Sequence, residues 1–319
     1  MTDFDVFNGD ADGLCALTQL RLAEPREAQL ITGVKRDIQL LDRVHSDARS
    51  RVTVLDVSLD KNRSELERVL DSGANVFYCD HHFAGEIPQS AQLQTLINTA
   101  PDVCTSLLIN THLQGQYLAW AVVGTFGDNL RYSALRMARP LDLDSHQLEK
   151  LENLGVYIND NGYGSALEDL HFEPAELFRL ISAYASPLAF IDDGAEHFER
   201  LETGYRQDMN LASALSPHFV DPSVAAYVMP NAPWARRVSG VYSNDLANSD
   251  PDRAHAVLTE KVSGDYVVSV RAPLNNKTGA DELCMQFATG GGRKAAAGIN
   301  DLPADQLAVF VDAFAAFYR

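Results

Sequence analysis

The chain has 319 residues, of which 46% are hydrophobic, and its formal net charge at pH 7 is −18. This length predicts about two domains, each large enough to bury a core of its own. A surface this acidic repels polyanions, which argues against long duplex nucleic acid as a partner. Because the sequence lacks a signal-peptide pattern and a membrane-length apolar run, we expect a cytoplasmic protein that does not use a membrane.

Four cysteines are scattered through mostly apolar sequence, a distribution that predicts reduced thiols in the core rather than a disulfide framework. They are Cys15, Cys79, Cys104 and Cys284.

From Phe4 to about Asn129, strand-like apolar runs alternate with helical stretches. The runs are Phe4–Phe7, Gln29–Val34, Arg51–Val57 and Val76–Cys79, and the helical stretches are Cys15–Ala23, Ile38–Val44 and Lys61–Leu70. This βαβ rhythm predicts an α/β fold whose N-terminal sheet is parallel and doubly wound, with right-handed crossovers and helices on both faces.

The rest of the chain predicts helices followed by a second, smaller α/β domain. The helices are Ser145–Tyr157, Pro174–Tyr184 and His197–Leu215, and the turn-forming residues of Gly155–Gly164 predict a loop. The strands of the second domain are Ala225–Met229, Val238–Tyr242, Ala256–Glu260 and Tyr266–Arg271, before a last helix at Ala304–Phe317.

Acidic residues and histidines follow the apolar runs of the first part, where parallel strands end at one edge of a sheet. They are Asp10, Asp12, Asp56, Asp80, His81, His82 and Asp128, the last after the apolar run Val122–Phe126. Two unit charges about 4 Å apart cost about 4 kcal/mol at an effective dielectric constant near 20, so the crowded carboxylates predict bound cations. Carboxylate and imidazole ligands suit manganese, magnesium or iron.

The turn between Gly9 and Gly13 allows Asp10 and Asp12 to point at two neighbouring metal positions, with Asp56 bridging them. In two-metal phosphoryl hydrolysis the ions lie about 3.5–4 Å apart, activate a water and stabilise the charge that grows on the phosphate.

A glycine-rich segment far downstream, Gly290–Gly298, predicts an anion site, because Gly290, Gly291 and Gly292 allow backbone N–H groups to converge on a phosphate. Three nearby cationic side chains add charge and hydrogen bonds for phosphate oxygens. They are Arg271, Arg293 and Lys294.

Together these motifs resemble those of the DHH family of phosphoesterases and cover most of the chain except its middle helical region. They occur in the family's order: Asn8-Gly9-Asp10-Ala11-Asp12-Gly13, Asp56, Asp80-His81-His82, Gly124-Thr125-Phe126-Gly127-Asp128, Val268–Arg271 and Gly290–Gly298. The last two resemble the strand and the glycine loop of the DHH-associated C-terminal domain.

The resemblance implies one metal ion held by Asp10 and Asp56. It implies a second ion with four ligands: Asp12, Asp56, His81 and Asp128. It also implies that His82 faces the substrate phosphate and that Asp80 orients its neighbours.

Three positions depart from the family pattern. Val6 stands where the pyrophosphatase and cyclic-dinucleotide branches have a metal-binding histidine, and Asn8 stands where RecJ exonucleases have a third aspartate. Arg293 replaces the histidine that is usual after the C-terminal glycines. The first ion would then have Asp10, Asp56 and the Asn8 carbonyl as ligands.

The resemblance therefore predicts a hydrolase that cuts short phosphodiesters, such as oligonucleotides of a few residues, to mononucleotides with the help of Mn²⁺ or Mg²⁺. It predicts a DHH domain at residues 1–195, a connector helix at 196–215 and a DHH-associated substrate-binding domain at 216–319. Four alternatives remain open: a cyclic or linear dinucleotide phosphodiesterase, a bisphosphate nucleotide phosphatase, a larger single-stranded DNA exonuclease, and a regulatory module that binds nucleotides without catalysis. Oligomerisation is also left open.

Overall fold

The computed structural model describes residues 2–319 and divides into two compact units between Gly204 and Tyr205. Throughout this described range, no helix has both the length and the apolar character needed to cross a bilayer.

The first unit is built on a parallel five-stranded sheet, as the sequence predicts, with strand order β2-β1-β3-β4-β5. The strands are β1 (Asp3–Phe7), β2 (Gln29–Ile31), β3 (Arg51–Leu55), β4 (Asn75–Asp80) and β5 (Leu93–Ile97). The helices up to the division are α1 (Ala11–Ala23), α2 (Arg63–Asp71), α3 (Thr105–His112), α4 (Leu118–Gly127), α5 (Arg131–Ala138), α6 (Ser145–Gly162), α7 (Pro174–Ile181) and α8 (Pro187–Asp193), and α9 (Ala195–Ser213) crosses the division.

Alternate residues of the strands face opposite sides of this sheet, and both sides are covered. Val6, Val54 and Tyr78 pack in one core cluster with Leu66 and Val69 of α2. On the other side, the guanidinium of Arg21 in α1 binds Asp5 of β1 and Thr53 of β3. These contacts fix α1 on the sheet, and the N-terminus of α1 lies at the edge where β1 ends.

Close helix packing brings α1, α4 and α6 together, and glycines make it possible. A Cβ atom on Gly127 in α4 would lie 2.3 Å from the Cβ of Ala11 and 2.7 Å from the carbonyl oxygen of Gly155. A Cβ on Gly155 would lie 2.4 Å from the carbonyl oxygen of Val123. The helices lie too close together here for any side chain. Glycine at these positions therefore allows the C-terminus of α4 to approach the N-terminus of α1.

The second unit contains a mixed six-stranded sheet with strand order β10-β11-β9-β8-β7-β6, in which only the β7–β8 pair is parallel. Its strands are β6 (Phe219–Val220), β7 (Val224–Met229), β8 (Ala254–Glu260), β9 (Tyr266–Arg271), β10 (Gly290–Arg293) and β11 (Ala296–Leu302). Its remaining helices are α10 (Pro233–Ser249), α11 (Ala280–Cys284) and α12 (Leu307–Tyr318), and Phe310 and Phe314 of α12 pack in the main core cluster with the sheet.

The predicted α/β class with a second, smaller domain is confirmed, but several predicted elements are wrong. Val238–Tyr242 lies in α10 and is not a strand, and residues 155–162 continue α6 rather than forming a loop. The helical stretch at Ile38–Val44 is a single 3₁₀ turn, and the run Val122–Phe126 lies in α4. The glycine-rich loop is a hairpin made by β10 and β11, and strand β5 was not predicted.

The glycine packing can be tested with Gly127→Ala. We expect this change to destabilise the first unit by about 1–3 kcal/mol, because the added methyl group overpacks a contact that involves backbone atoms. The measurement is urea unfolding followed by the fluorescence of buried Trp120 in a Trp234→Phe background.

The matched control is Gly240→Ala in α10, where an added Cβ meets nothing within 4 Å. We expect unfolding of the second unit, followed by Trp234 in a Trp120→Phe background, to gain about 0.5–1 kcal/mol, because alanine favours a helix over glycine. Equal behaviour of the two alanine variants would contradict the packing argument.

Candidate metal centre

The acidic edge of the first sheet brings together side chains from strand ends and helix ends. Asp10 and Asp12 follow β1, Asp56 follows β3, and Asp80 ends β4. All four are buried, with side chains no more than 4% exposed.

Asp10 caps the N-terminus of α1. Its Oδ1 accepts hydrogen bonds from the backbone N–H groups of Asp12 and Gly13, each at 3.1 Å. Its Oδ2 lies 2.8 Å from Nζ of Lys35. Burial acts to raise the pKa of Asp10, but this lysine and the hydrogen bonds outweigh it and lower the pKa. Asp10 is therefore held as a carboxylate.

Asp12 fixes the N-terminus of α3. Its two carboxylate oxygens accept the backbone N–H groups of Thr105 and Ser106, both at 2.7 Å, and the Ser106 hydroxyl donates back to the Asp12 carbonyl at 2.9 Å. A negative charge at a helix N-terminus is favourable because the free N–H groups and the helix dipole point at it. Each carboxylate oxygen keeps a second lone pair for a cation.

Asp56 adopts left-handed backbone geometry, with φ of 59°. This conformation is uncommon for a residue with a side chain and is tolerated best by Asn and Asp among them. The Asp56 Oδ1 accepts a hydrogen bond from the Thr105 hydroxyl at 3.2 Å. Burial, together with the charges of Asp10 and Asp12, raises the pKa of Asp56 well above its usual value.

His81 presents one ring nitrogen to the carboxylates. Its Nδ1 lies 3.0 Å from the Val103 carbonyl oxygen, which can only accept, so Nδ1 carries the proton and Nε2 of the neutral ring carries a lone pair. Nε2 lies 3.4 Å from an oxygen of Asp56 and 3.9 Å from oxygens of both Asp12 and Asp128. A carbonyl that fixes the ring in this way is typical of histidines that bind metals.

Asp128 ends α4 and completes the group. It is the C-terminal capping residue of the helix, and Asn129 after it turns the chain with φ of 60°. Burial, with the charges of Asp12 and Asp10, raises the pKa of Asp128 to about 8.

His82 pairs with Asp80. The His82 Nδ1 lies 2.7 Å from Asp80 Oδ1, and this hydrogen bond raises the pKa of His82. The other oxygen of Asp80, Oδ2, is buried and has no hydrogen-bond partner within the described residues 2–319. The side chain of His82 is 46% exposed. His82 is therefore an accessible ring that Asp80 holds toward the protonated form.

Two overlapping groups of side chains place their ligand atoms within 4.8 Å of one another. One consists of Asp12, His81 and Asp128, and the other of Asp56, His81 and His82. The structure thus brings together every first-unit residue predicted to bind the second ion. Asp10 is in neither group.

The residues predicted to bind substrate phosphate lie in the second unit. Arg271, on β9, donates to Asn244 at 2.7 Å and to the Ser269 hydroxyl at 2.9 Å. Gly290, Gly291, Gly292 and Arg293 form β10, and Lys294 follows in the turn. The backbone of this segment is paired with β11, and Gly292, with φ of 145°, has the one positive φ among its glycines.

Sequence reasoning missed Lys35, Thr105 and Ser106. Lys35 follows β2, which pairs with β1, so the rule that placed Asp10 at the sheet edge also places Lys35 there. Burial acts to lower the pKa of Lys35, but the charge of Asp10 outweighs it, and the pKa lies above its usual value. Thr105 and Ser106 gave no signal, because their role depends on the contact with Asp12, more than ninety residues away in sequence.

The cysteines are buried and free, as the sequence predicts. Burial and the nearby carboxylates raise the pKa of Cys15, Cys79 and Cys104 above the usual thiol value, and Asp12 contributes to all three shifts.

Neither a family model nor a curated protein matches the chain in sequence. Solved structures match it in fold. A DHH domain from a member of the s1p family of ribosomal proteins has a TM-score of 0.66 and 13% identity, covering 99% of this chain and 86% of that one. RecJ in complex with Mn²⁺ from Thermus thermophilus has a TM-score of 0.63 and 18% identity, covering 99% of this chain and 52% of that one.

A pGpG-specific phosphodiesterase, PggH from Vibrio cholerae, has a TM-score of 0.54 and 15% identity, and the match covers 99% of both chains. This chain therefore has the two-unit fold of the DHH-domain proteins, and the fold implied by its motifs is confirmed.

The pairing of His82 with Asp80 can be tested with Asp80→Asn. Replacing the carboxylate by an amide removes the charge that favours the imidazolium, so we expect the pKa of His82 to fall. NMR titration of the histidine ring signals in chelator-treated protein measures this shift. Asp192→Asn, which removes an exposed carboxylate that pairs with Lys150, is the control and leaves the titration unchanged. An unaltered pKa in Asp80→Asn would contradict the assignment.

Proposed function

We propose that the chain is a metal-dependent phosphoesterase that hydrolyses short phosphodiesters. The observation that carries the proposal is the set of three carboxylate oxygens within 3.9 Å of Nε2 of His81. Such an arrangement is unfavourable without a cation, since the carboxylates repel one another in a buried site. The domain assignment at residues 1–195, 196–215 and 216–319 is part of this proposal.

The side chains present fit a divalent ion. Asp12, Asp56, His81 and Asp128 would hold it, and the raised pKa values of Asp56 and Asp128 show how poorly the site accommodates its own negative charge. The unpartnered oxygen of Asp80 adds further negative potential. Oxygen and imidazole ligands suit Mn²⁺, with Mg²⁺ second. When bound, the ion would lower the pKa of a water molecule and offset charge on the phosphate.

The other residues would bind and position the substrate. His82, held toward the imidazolium form by Asp80, would donate a hydrogen bond to a phosphate oxygen. Arg271, Arg293 and Lys294, with the glycines of β10, would bind phosphate in the second unit. The bond to Asn244 already fixes the guanidinium of Arg271, which reduces the entropy lost on binding.

The comparisons support a short substrate. The match with the pGpG-specific phosphodiesterase spans 99% of both chains, whereas the chain spans 52% of the length of the Thermus thermophilus RecJ. The acidic surface also disfavours long polyanions. Oligonucleotides of a few residues are therefore the first candidates, and a linear dinucleotide is the second.

Asp56→Asn tests the activity. Asparagine keeps the shape of the side chain and tolerates the left-handed backbone, but it lacks the charge. We expect hydrolysis of a short oligonucleotide with Mn²⁺ to fall by more than about 100-fold, while the circular dichroism spectrum is unchanged.

The substrate panel for this experiment contains a short oligonucleotide, a linear and a cyclic dinucleotide, a nucleoside bisphosphate and long single-stranded DNA. Mononucleotide products indicate a diesterase, and inorganic phosphate indicates a phosphatase. If the wild-type protein binds nucleotide but hydrolyses none of the panel with Mn²⁺ or Mg²⁺, the proposed enzyme is wrong and the regulatory module is favoured.

The affinity for Mn²⁺ should increase with pH. Below the raised pKa values of Asp56 and Asp128, the latter about 8, these carboxyls hold protons that the ion must displace. Each proton released weakens binding about tenfold per pH unit of acidification. Calorimetric titration in buffers with different ionisation enthalpies measures both the affinity and the proton release. Binding that is independent of pH from about 6.5 to about 8.5 would contradict these shifts.

A further inference from the structure

Lys35 is held rigidly beside the metal centre. Its ammonium group lies 2.8 Å from Asp10 Oδ2 and donates to Asn159 Oδ1 at 2.8 Å. The ring centre of Tyr163 lies 5.0 Å from the same nitrogen, within the range of a cation–π interaction. Lys35 is therefore fixed by three side chains, and its own side chain is 23% exposed.

The backbone of Lys35 is fixed as well. Its N–H donates to the Gly162 carbonyl at 2.8 Å, and the Asn8 side-chain amide donates to the Lys35 carbonyl at 3.2 Å. Residues at the C-terminal end of α6 and in the turn after β1 thus hold the backbone in place. An ammonium group placed by so many contacts acts as a permanent charge of the site rather than as a mobile surface group.

Asp10 is a poor ligand for a metal ion, because the ammonium group of Lys35 lies against its Oδ2 and repels a second cation. Both of its oxygens are engaged, Oδ1 by two backbone N–H groups and Oδ2 by Lys35. It is absent from both groups of converging ligand atoms found within residues 2–319. Val6 of β1 cannot supply a metal ligand instead, because its side chain is apolar and completely buried.

We propose that this centre holds one divalent ion, bound by Asp12, His81 and Asp128 with Asp56, and that the ammonium group of Lys35 takes the place of a second ion beside Asp10. The inference rests on the proposed metal site and concerns the number of ions in it. Lys35 is a positioning residue: it neutralises Asp10 and keeps a second ion out. An ammonium group offers hydrogen bonds and no coordination position, so it is not lost to a chelator.

The test is the number of Mn²⁺ ions bound per chain, measured by calorimetric titration and by elemental analysis after removal of free metal. We expect one ion in the wild type. Two ions would overturn the inference and leave the proposed function intact, whereas no ion would overturn both.

Three substitutions sharpen the test. Lys35→Met removes the charge and keeps most of the apolar stem, and we expect it to bind a second ion more weakly than the first. Lys35→Arg keeps the charge, and Lys61→Met removes a lysine that is 60% exposed, so both should bind one ion. A Lys35→Met protein that still binds one ion would overturn the exclusion role of Lys35.

Thermal unfolding supplies a second measurement that does not depend on activity. Without metal, Lys35→Met leaves the buried Asp10 carboxylate unpaired, so its Tm should fall below that of the wild type. Excess Mn²⁺ should then raise the Tm of the variant more than that of the wild type, since an ion can replace the missing charge. Equal shifts would overturn the inference. If the variant does not fold, the number of ions bound by the wild type still tests the inference.

Discussion

Repulsion among buried carboxylates is the constraint on which this site depends. Parallel strands bring their carboxyl ends to one edge, and Asp10, Asp56 and Asp80 follow or end three neighbouring strands there. Two more aspartates, Asp12 and Asp128, come from α1 and the C-terminal end of α4. The protein stabilises this concentration of charge with donors: backbone N–H groups for Asp10 and Asp12, an ammonium for Asp10 and a histidine ring for Asp80. Asp56 and Asp128 have fewer donors, and burial together with the charges of Asp10 and Asp12 raises their pKa values.

This distribution separates the carboxylates into two roles. Those with strong donors, Asp10 and Asp12, hold helix N-termini in place, which fixes the backbone around the site. Those with weak donors have a large electrostatic free energy to gain from a cation. Because Asp10 and Asp12 fix the backbone, the positions of Asp56 and Asp128 are set before an ion binds. Binding would therefore need little reorganisation of the protein.

The sequence predicted four of the five strands of the first sheet. The signal is strongest for β1, β3 and β4, which are mostly buried, while β5 is partly exposed and lacks it. The prediction failed at Val238–Tyr242, where β-branched and aromatic residues suggested a strand. Val238 and Tyr242 are four residues apart, and in α10 they share one face and pack with Val257. Tertiary contacts override the local preference there.

The places of the aspartates that follow strands were predictable, and the same rule places Lys35 at this edge, but the contacts that fix Lys35 were not predictable. Asn159, which accepts a hydrogen bond from Lys35, is 124 residues away in sequence. The position of Asp128 near Asp12 and His81 was predicted although its segment is helical, because the motif fixes the residue and not the secondary structure before it. A contact between segments that are far apart in the chain cannot be predicted from one sequence unless a known motif contains its residues.

The three thiols in the first unit have a consequence for the choice of ion. Cys15, Cys79 and Cys104 are close enough to the aspartates to feel their charge, and their raised pKa values keep the sulfur atoms protonated at neutral pH. Thiophilic ions bind the thiolate and not the thiol. The same negative field that attracts hard cations therefore keeps these sulfur atoms as thiols, which are poor ligands for soft ions such as cadmium or copper.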